Sequence, residues 1–197
     1  MKLVTFKVRT RQTGVAAVEF ALVAIIFFTV IFGTLELARW EFLMNTLQEV
    51  TRRAAAAAAN ADFSDTALEK VQAGAVFRNS LGPLALGEPV TAENVTIDYL
   101  SVSNTDWDLK HVSARPACPA RSQLNCMTNP HADNCIRFVR ARVCESMDAA
   151  GNCTPLSYKM VFPFLNLSGV KLPTSETIVP VGSLGATAGS IADSTCS

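Results

Sequence analysis

The sequence predicts an α+β protein in which a long N-terminal transmembrane helix continues into a small antiparallel β-sheet head domain with disulfides. Three observations lead to this prediction. The run from Val15 to Phe32 is apolar except for Glu19, residues after Val90 begin to alternate between apolar and polar side chains, and six cysteines follow the helix. Long apolar runs favour membrane helices, a period of two favours strands, and an even cysteine count outside the cytoplasm favours disulfides.

Residues 1–14 form a short basic leader, for which we expect no lasting structure. Of the 17 basic and 17 acidic residues in the chain, four basic and no acidic ones precede Val15, which leaves 13 basic and 17 acidic residues after the leader. The four are Lys2, Lys7, Arg9 and Arg11. Positive charge before a membrane helix retains that end in the cytoplasm. We therefore expect a cytoplasmic N-terminus and an exterior C-terminal domain.

The membrane span is expected at about residues 15–37. The run from Val15 to Phe32 would extend about 27 Å, which is close to the hydrocarbon thickness of a bilayer. Glu19 would cost about 2.5–3.5 kcal/mol at the bilayer centre, but it lies near the start of the run, where headgroups relieve part of that cost. A secretory signal peptide also has a basic start, but its apolar core is usually shorter and a small-x-small cleavage site usually follows it. We therefore expect this helix to remain in the protein.

The helix is predicted to continue to about residue 60 as one rod. Leu47, Val50 and Ala54 keep a helical spacing, and the arginines and alanines that follow are strong helix formers. At about 1.5 Å per residue the rod would exceed roughly 60 Å, so about half of it must lie in water or against a head domain. The alanine run 54–59 is either a solvated segment or a surface for close packing.

The start of the helix has a specific pattern: a glycine after a basic leader, four small or apolar residues, a glutamate, and an aromatic residue. A second characteristic stretch lies at the end of the apolar run. The two stretches are Arg11-Gln12-Thr13-Gly14-Val15-Ala16-Ala17-Val18-Glu19-Phe20-Ala21-Leu22 and Phe32-Gly33-Thr34-Leu35-Glu36-Leu37-Ala38-Arg39. Together they resemble the TadE-like family, the pseudopilins of the tight-adherence (Flp, type IVc) pilus system. The resemblance covers about the first 60 residues.

The resemblance implies a pilin-like fold and cleavage between Gly14 and Val15 by a membrane aspartyl prepilin peptidase. Glu19 would then be the fifth residue of the mature chain and, with Phe20, an element of assembly and register. Cleavage creates an amine at Val15, which Glu19 of the same or a neighbouring subunit could neutralise in a low-dielectric setting. The alternative is that Glu19 is a helix N-terminal acid, stabilised by the helix dipole and wetted by headgroups.

The resemblance also implies partners and a location. The partners are the prepilin peptidase, other pilins or pseudopilins, the Tad assembly platform and membrane lipid. The location is the bacterial inner membrane, as a single-pass protein with a cytoplasmic N-terminus and a periplasmic or extracellular C-terminal domain, with the pilus as a second location. The resemblance does not distinguish a protein that enters the filament from one that only assists its assembly. It also does not distinguish the TadE type from the TadF type.

Residues 61–182 are expected to form the exterior head domain, which begins with a second helix. Thr66-Ala67-Leu68-Glu69 fits a capping box, in which threonine and glutamate satisfy each other's backbone amides. The helix should run to about Asn79, where Leu81-Gly82-Pro83 follows. Its buried residues are expected to be Leu68, Val71 and Ala75.

Alternating side chains predict four strands in the rest of the head domain, at 95–100, 136–143, 157–162 and 177–181. A turn at 148–152 separates the second and third strands, so we expect these two to form an antiparallel hairpin. Pro180 cannot donate a backbone hydrogen bond, which places the fourth strand at a sheet edge. Residues 183–197 are small and polar, and we expect a loose tail unless Cys196 fixes it.

The six cysteines are candidates for disulfides, with 15 possible connectivities. Cys144 and Cys153 flank the turn at 148–152 and are the favoured pair. The pairing among the other four stays open. A long connection at about 104–134, rich in proline, asparagine and cysteine, is expected to be a loop fixed by disulfides. The candidates are Cys118, Cys126, Cys135, Cys144, Cys153 and Cys196.

No motif indicates an enzyme, a metal or a cofactor. The sequence lacks G-x-S-x-G, a Gly-rich phosphate loop and H-E-x-x-H. His111 and His131 are the only histidines, and neither has a local nucleophile or carboxylate pair, so we interpret both as ordinary loop residues. Zinc binding is disfavoured because no C-x-x-C occurs. The balanced charge gives no argument for nucleic acid.

Two functions are consistent with these features. The first is a minor pilin or pseudopilin that is processed after Gly14 and takes part in assembly of a type IVc (Flp/Tad) pilus through helix packing. The second is a permanently membrane-anchored, single-pass protein whose exterior domain binds a partner or ligand. The first requires Gly14 and Glu19, whereas the second requires only an apolar helix.

Overall fold

The computed structural model describes residues 13–148, 151–162 and 169–186 together with Cys196. The described residues fall into two compact units. The first unit contains residues 13–40 and 160–162, and the second contains residues 41–159 and those from 169 onward. The long N-terminal helix, the small antiparallel sheet and the disulfides confirm the predicted α+β class.

Helix α1 spans Thr13–Ala58 without a break. Leader residues 1–12 lie outside the described part of the chain. Thr13 and Gly14 are helical, whereas the sequence predicted that they belong to a leader without lasting structure. This correction is within the usual scatter of helix ends. At its C-terminal end, the Asn60 side-chain amide donates to the Ala56 carbonyl, which satisfies one of the free carbonyls there.

The C-terminal part of α1 buries one face in the second unit. Its large buried residues recur every three or four positions, which is the spacing of a single helix face. They are Leu43, Leu47 and Val50, followed by Ala54 and Ala58. Thr51 is fully buried on this face, and its hydroxyl lies 3.0 Å from the hydroxyls of both Ser175 and Thr177. Apolar packing and hydrogen bonds together hold this part of the helix.

Helix α2 spans Asp65–Ala75, with Ser64 as its N-cap residue. The predicted capping box at Thr66–Glu69 is therefore wrong; a capping box instead opens a short 3-10 turn, where Thr91 and Asn94 satisfy each other. The helix also ends before Asn79, because Phe77 takes a positive φ of 60°. The Phe77 ring lies under Arg53 of α1, with the guanidinium carbon 4.2 Å from the ring centroid. Val71 and Ala75 are buried, and Leu68 is partly buried.

The main sheet has four antiparallel strands in the order β2-β1-β3-β6. They are β1 (Val95–Val102), β2 (Leu109–His111), β3 (Phe138–Val143) and β6 (Glu176–Pro180). Strand β6 lies at the edge, as its proline predicted. Tyr99 of β1 pairs with Val139 of β3, and both are buried in a core that also contains Phe63 and Ala58.

The third predicted strand, 157–162, is not a strand. Ser157 forms an isolated bridge with Lys171, and β6 rather than this segment pairs with β3. Phe162 instead packs against Phe32 of α1, with ring centroids 4.7 Å apart and the rings tilted by 34°. The turn at 148–152 does connect a hairpin, but a small one formed by β4 (Ser146–Met147) and β5 (Cys153–Thr154).

The segment 104–134 is not one long loop, because it contains β2 and the helix α3 (Pro119–Thr128). Pro119 occupies the first turn of α3, a position where its missing amide hydrogen costs nothing. The tail was expected to be loose unless Cys196 fixed it, and Cys196 is bonded to Cys118. Leu184 is buried, and the amides of Gly182 and Leu184 both donate to the Ala59 carbonyl. Tail residues 187–195 and 197 lie outside the described part.

Candidate processing and assembly site

Gly14 and Val15 lie in the first turn of α1. Residues 1–12 lie outside the described part of the chain, so Thr13 is the first described residue of the helix. Glycine lowers helix stability by about 1 kcal/mol relative to alanine. A Cβ added at Gly14 would meet nothing within 4 Å, and both residues are exposed. The peptide bond between them is therefore sterically accessible, and Gly14 lowers the cost of unwinding the helix there.

Glu19 lies four residues after Val15, on the same face of α1. It is exposed, and its carboxylate has no hydrogen-bond or ion-pair partner among the described residues. The other polar side chains between Gly14 and Leu35 are two threonines, whose hydroxyls donate to backbone carbonyls of their own helix. In surroundings that exclude water, the Glu19 carboxylate would therefore require a hydrogen-bond or ion-pair partner, unlike the two threonines.

The surface around Glu19 is apolar and unusually exposed. Phe20 is 75% exposed, and no part of the most apolar 18-residue window of the helix is buried. This is the one helix in the described part of the chain that is long and apolar enough to cross a membrane. Its exposed apolar residues include Val15, Val18, Phe20, Leu22, Val23, Ile25, Ile26, Phe27, Phe28 and Val30. Such a surface is typical of a segment that contacts lipid or other helices.

A second carboxylate, Glu36, was not singled out from the sequence. It is only 4% exposed, and both of its oxygens accept from the Val161 amide, at 3.4 and 3.3 Å. Arg39 lies one turn further along α1, with a guanidinium nitrogen 3.5 Å from a Glu36 oxygen. The position of Glu36 at the end of an apolar run was a signal in the sequence that this residue is unusual. Its role as a hydrogen-bond acceptor depends on Val161, which is more than 120 positions away and is not indicated by any local pattern.

The alanine run combines both interpretations made from the sequence. Ala54, Ala55 and Ala58 are fully buried, so small side chains do allow the head to approach α1 closely. Ala56 and Ala57 instead line an open groove of about 580 Å³ beside α2. Close packing therefore explains one face of the run and solvent exposure the other.

All six cysteines are in disulfides: Cys118 with Cys196, Cys126 with Cys135, and Cys144 with Cys153. The last is the pair favoured from the sequence, and it closes the β4–β5 hairpin. Arg142, on the strand before this hairpin, donates to the Gly151 carbonyl at 2.9 Å and to Asp98 at 2.6 Å. The cysteines and this ion pair thus stabilise the turn that connects β4 to β5.

Ionisable groups in the head domain are arranged as structural pairs. Hydrogen bonds from Arg52 and Arg53 lower the pKa of Glu49 to about 2. Burial raises the pKa of Tyr99 to about 12, and its hydroxyl has no partner in the part of the chain that the structure describes. His111 lies 3.8 Å from Asp98, and the His131 ring nitrogen is 3.2 Å from the Val102 carbonyl.

No group of three or more metal-binding side chains occurs among the described residues. The residues predicted for processing and assembly, Gly14, Val15, Glu19 and Phe20, lie within two turns of one another in α1.

Comparison with known proteins connects this helix to a family. Residues 14–56 match the family model described as TadE-like protein. This match confirms the resemblance seen in the sequence, over about a fifth of the chain. TadE-like proteins are a structural, pilus-associated family rather than an enzyme family. No curated protein and no solved structure matches the chain.

Proposed function

We propose that this chain is a minor pilin or pseudopilin that is cleaved between Gly14 and Val15 and takes part in assembly of a type IVc (Flp/Tad) pilus. The observation that carries the proposal is the unpartnered carboxylate of Glu19, on an exposed apolar helix, four residues after an accessible glycine bond. The family match over residues 14–56 supports the connection to the Tad pilus.

In the processing step, a membrane prepilin peptidase hydrolyses the Gly14–Val15 peptide bond on the cytoplasmic side. Water adds to the Gly14 carbonyl, the C–N bond breaks, and the products are a carboxylate at Gly14 and an ammonium group at Val15. The exposure of Gly14 and Val15 and the low helix propensity of Gly14 support this step.

In the assembly step, Glu19 neutralises the ammonium group of Val15. Either charge alone is expensive in hydrocarbon, whereas a close pair is much less so. Because Glu19 lies four residues after Val15, the pair can form within one chain or between adjacent chains at a fixed axial offset. The exposed ring of Phe20 and the neighbouring apolar side chains supply the packing surface between helices.

The mature chain would be a single-pass protein of the bacterial inner membrane. The four basic leader residues favour a cytoplasmic N-terminus, and the three disulfides suit an oxidising exterior. Its partners would be the peptidase, other pilins or pseudopilins, the Tad assembly platform and lipid.

A glycine pair tests the proposal. We expect Gly14→Ala to abolish cleavage by a coexpressed prepilin peptidase, because the added methyl group occupies the residue before the cleaved bond. Gly33→Ala is the matched control, since a Cβ at either glycine meets nothing within 4 Å and both lie in α1. Mass spectrometry of the intact protein measures cleavage. Equal cleavage of the two variants would contradict the proposed site.

A further inference from the structure

A short apolar segment outside α1 shares the unit of the membrane helix. Residues 160–162 are grouped with 13–40, whereas Lys159 belongs to the second unit. Phe162 packs against Phe32, and the Val161 amide donates to both oxygens of Glu36. The contacts hold this segment on α1 at the level where the uncharged run ends.

Backbone hydrogen bonds join the chain on either side of this segment, within the second unit. Ser157 and Lys171 form an antiparallel bridge, the Tyr158 amide donates to the Val170 carbonyl at 2.9 Å, and the Leu172 amide donates to the Leu156 carbonyl at 2.8 Å.

The sequence between Lys159 and Lys171 has a composition typical of a membrane interface. No residue between Lys159 and Lys171 is charged, and these two lysines flank the uncharged stretch. Val161 is 55% exposed, although it is apolar and its backbone is fixed. Apolar side chains bounded by lysines are the pattern with which interfacial segments enter the boundary between headgroups and acyl chains.

We propose that Met160–Phe162 is a second membrane-contacting segment, which inserts at the exterior headgroup boundary of the bilayer that α1 crosses and is anchored there by Glu36. This inference rests on the proposed membrane span. If the uncharged run to Phe32 fills the hydrocarbon, Glu36 lies about 6 Å beyond it, in the headgroup layer. There the Val161 amide donates to the buried Glu36 carboxylate. An amide without a hydrogen-bond partner would raise the free energy of inserting this segment.

Lipid explains the observations better than a protein partner. The segment is held on α1 itself, next to the last residues of the surface that the span presents to lipid, so the two apolar surfaces are continuous. Of the two flanking lysines, Lys171 fits anionic headgroups, whereas Lys159 pairs with Glu88 at 3.0 Å. A neighbouring pilin helix is the competing occupant, and the test below separates the two.

The test measures depth in the bilayer by fluorescence quenching. The full chain carries Val161→Trp in a background of Trp40→Phe and Trp107→Phe, and is reconstituted in anionic vesicles at low protein density. Met127→Trp is the exposed head-domain control, since Met127 is 80% exposed, and Val23→Trp is the control within the span. Lipids brominated near the headgroup or near the chain end act as quenchers.

We expect the tryptophan at 161 to be quenched most by lipids brominated near the headgroup, the one at 23 by deep bromines, and the one at 127 by neither. Quenching at 161 as weak as at 127, with normal quenching at 23, would overturn this inference alone. Absence of quenching at 23 would overturn the membrane span and the inference with it. Shielding of 161 from aqueous iodide without lipid quenching would indicate a protein partner and would also overturn it.

Two further measurements complete the test. Adding Glu36→Ala should reduce the shallow quenching at 161, and unchanged quenching would contradict the anchoring role of Glu36. A photoreactive residue at 161 in the chain with both native tryptophans should cross-link to lipid acyl chains. Cross-links found only to protein would contradict the inference without depending on the tryptophan substitutions.

Discussion

Glu19 and Glu36 lie on the same helix in opposite surroundings. Glu19 is exposed and has no partner in the described part of the chain, whereas Glu36 is buried and accepts from a backbone amide. A carboxylate that has its hydrogen-bond partner within the chain contributes to the fold. A carboxylate on an apolar surface that has no such partner requires one from another molecule. For this reason we assign the assembly role to Glu19.

At this scale we predict that Glu19→Ala leaves cleavage intact but weakens association with other pilus subunits. Removing one member of a desolvated ion pair leaves the Val15 ammonium group unpaired, which costs about 3 kcal/mol or more, roughly 100-fold in affinity. Recovery of the chain with other pilins after solubilisation measures the loss. Glu41→Ala is the control, because Glu41 is exposed on the same helix. Equal recovery of both variants would contradict the assembly role.

The sequence identified Glu19 but not Glu36, for a physical reason. Glu19 lies in a local pattern of glycine, leader and apolar run, all within a few residues. The role of Glu36 depends on the Val161 amide, and no local pattern encodes contacts between residues so distant in the chain.

Helix α1 has two different surfaces along its length. In the first unit the apolar residues from Val15 to Val30 are exposed, and in the second unit the face with Leu43, Leu47 and Ala58 is buried. One continuous helix can therefore present an apolar surface at one end and contribute to a core at the other. Buried Thr51, with hydroxyl contacts to Ser175 and Thr177, fixes its rotation against the edge strand β6.

We predict that Ala58→Leu destabilises the second unit by about 1–3 kcal/mol, because Ala58 is fully buried in the core and extra methyl groups there force side chains out of place. Ala57→Leu, on the exposed face one residue earlier, should change the free energy of unfolding by less than about 0.5 kcal/mol. Urea denaturation of the full chain in detergent measures both. Similar effects from both substitutions would contradict the assigned packing of α1.

Elements with a strong local pattern were predicted, and elements defined by distant contacts were not. Strands β1, β3 and β6 follow from alternation and a proline, and α1 follows from its apolar run. The segment 157–162 also alternates, but Phe162 packs on Phe32 instead of joining the sheet. Helix α3 was missed because its sequence is polar and rich in cysteine, although Pro119 at its start was a usable signal.

The whole chain combines an exposed apolar helix with a head stabilised by three disulfides. The proposed function places the first part of α1 in hydrocarbon and the cysteines in an oxidising exterior. The processing that we propose also requires a basic leader before the helix and an accessible glycine bond at its start, and both are present. This assignment makes the N-terminal residue of the mature protein the decisive observable.

The most direct test is to determine the N-terminus of this chain in membrane and sheared pilus fractions, from cells with and without the prepilin peptidase. We predict a protein that begins at Val15 when the peptidase is present, and one that retains the leader when it is absent. A chain that begins at Met1 in both would contradict the account.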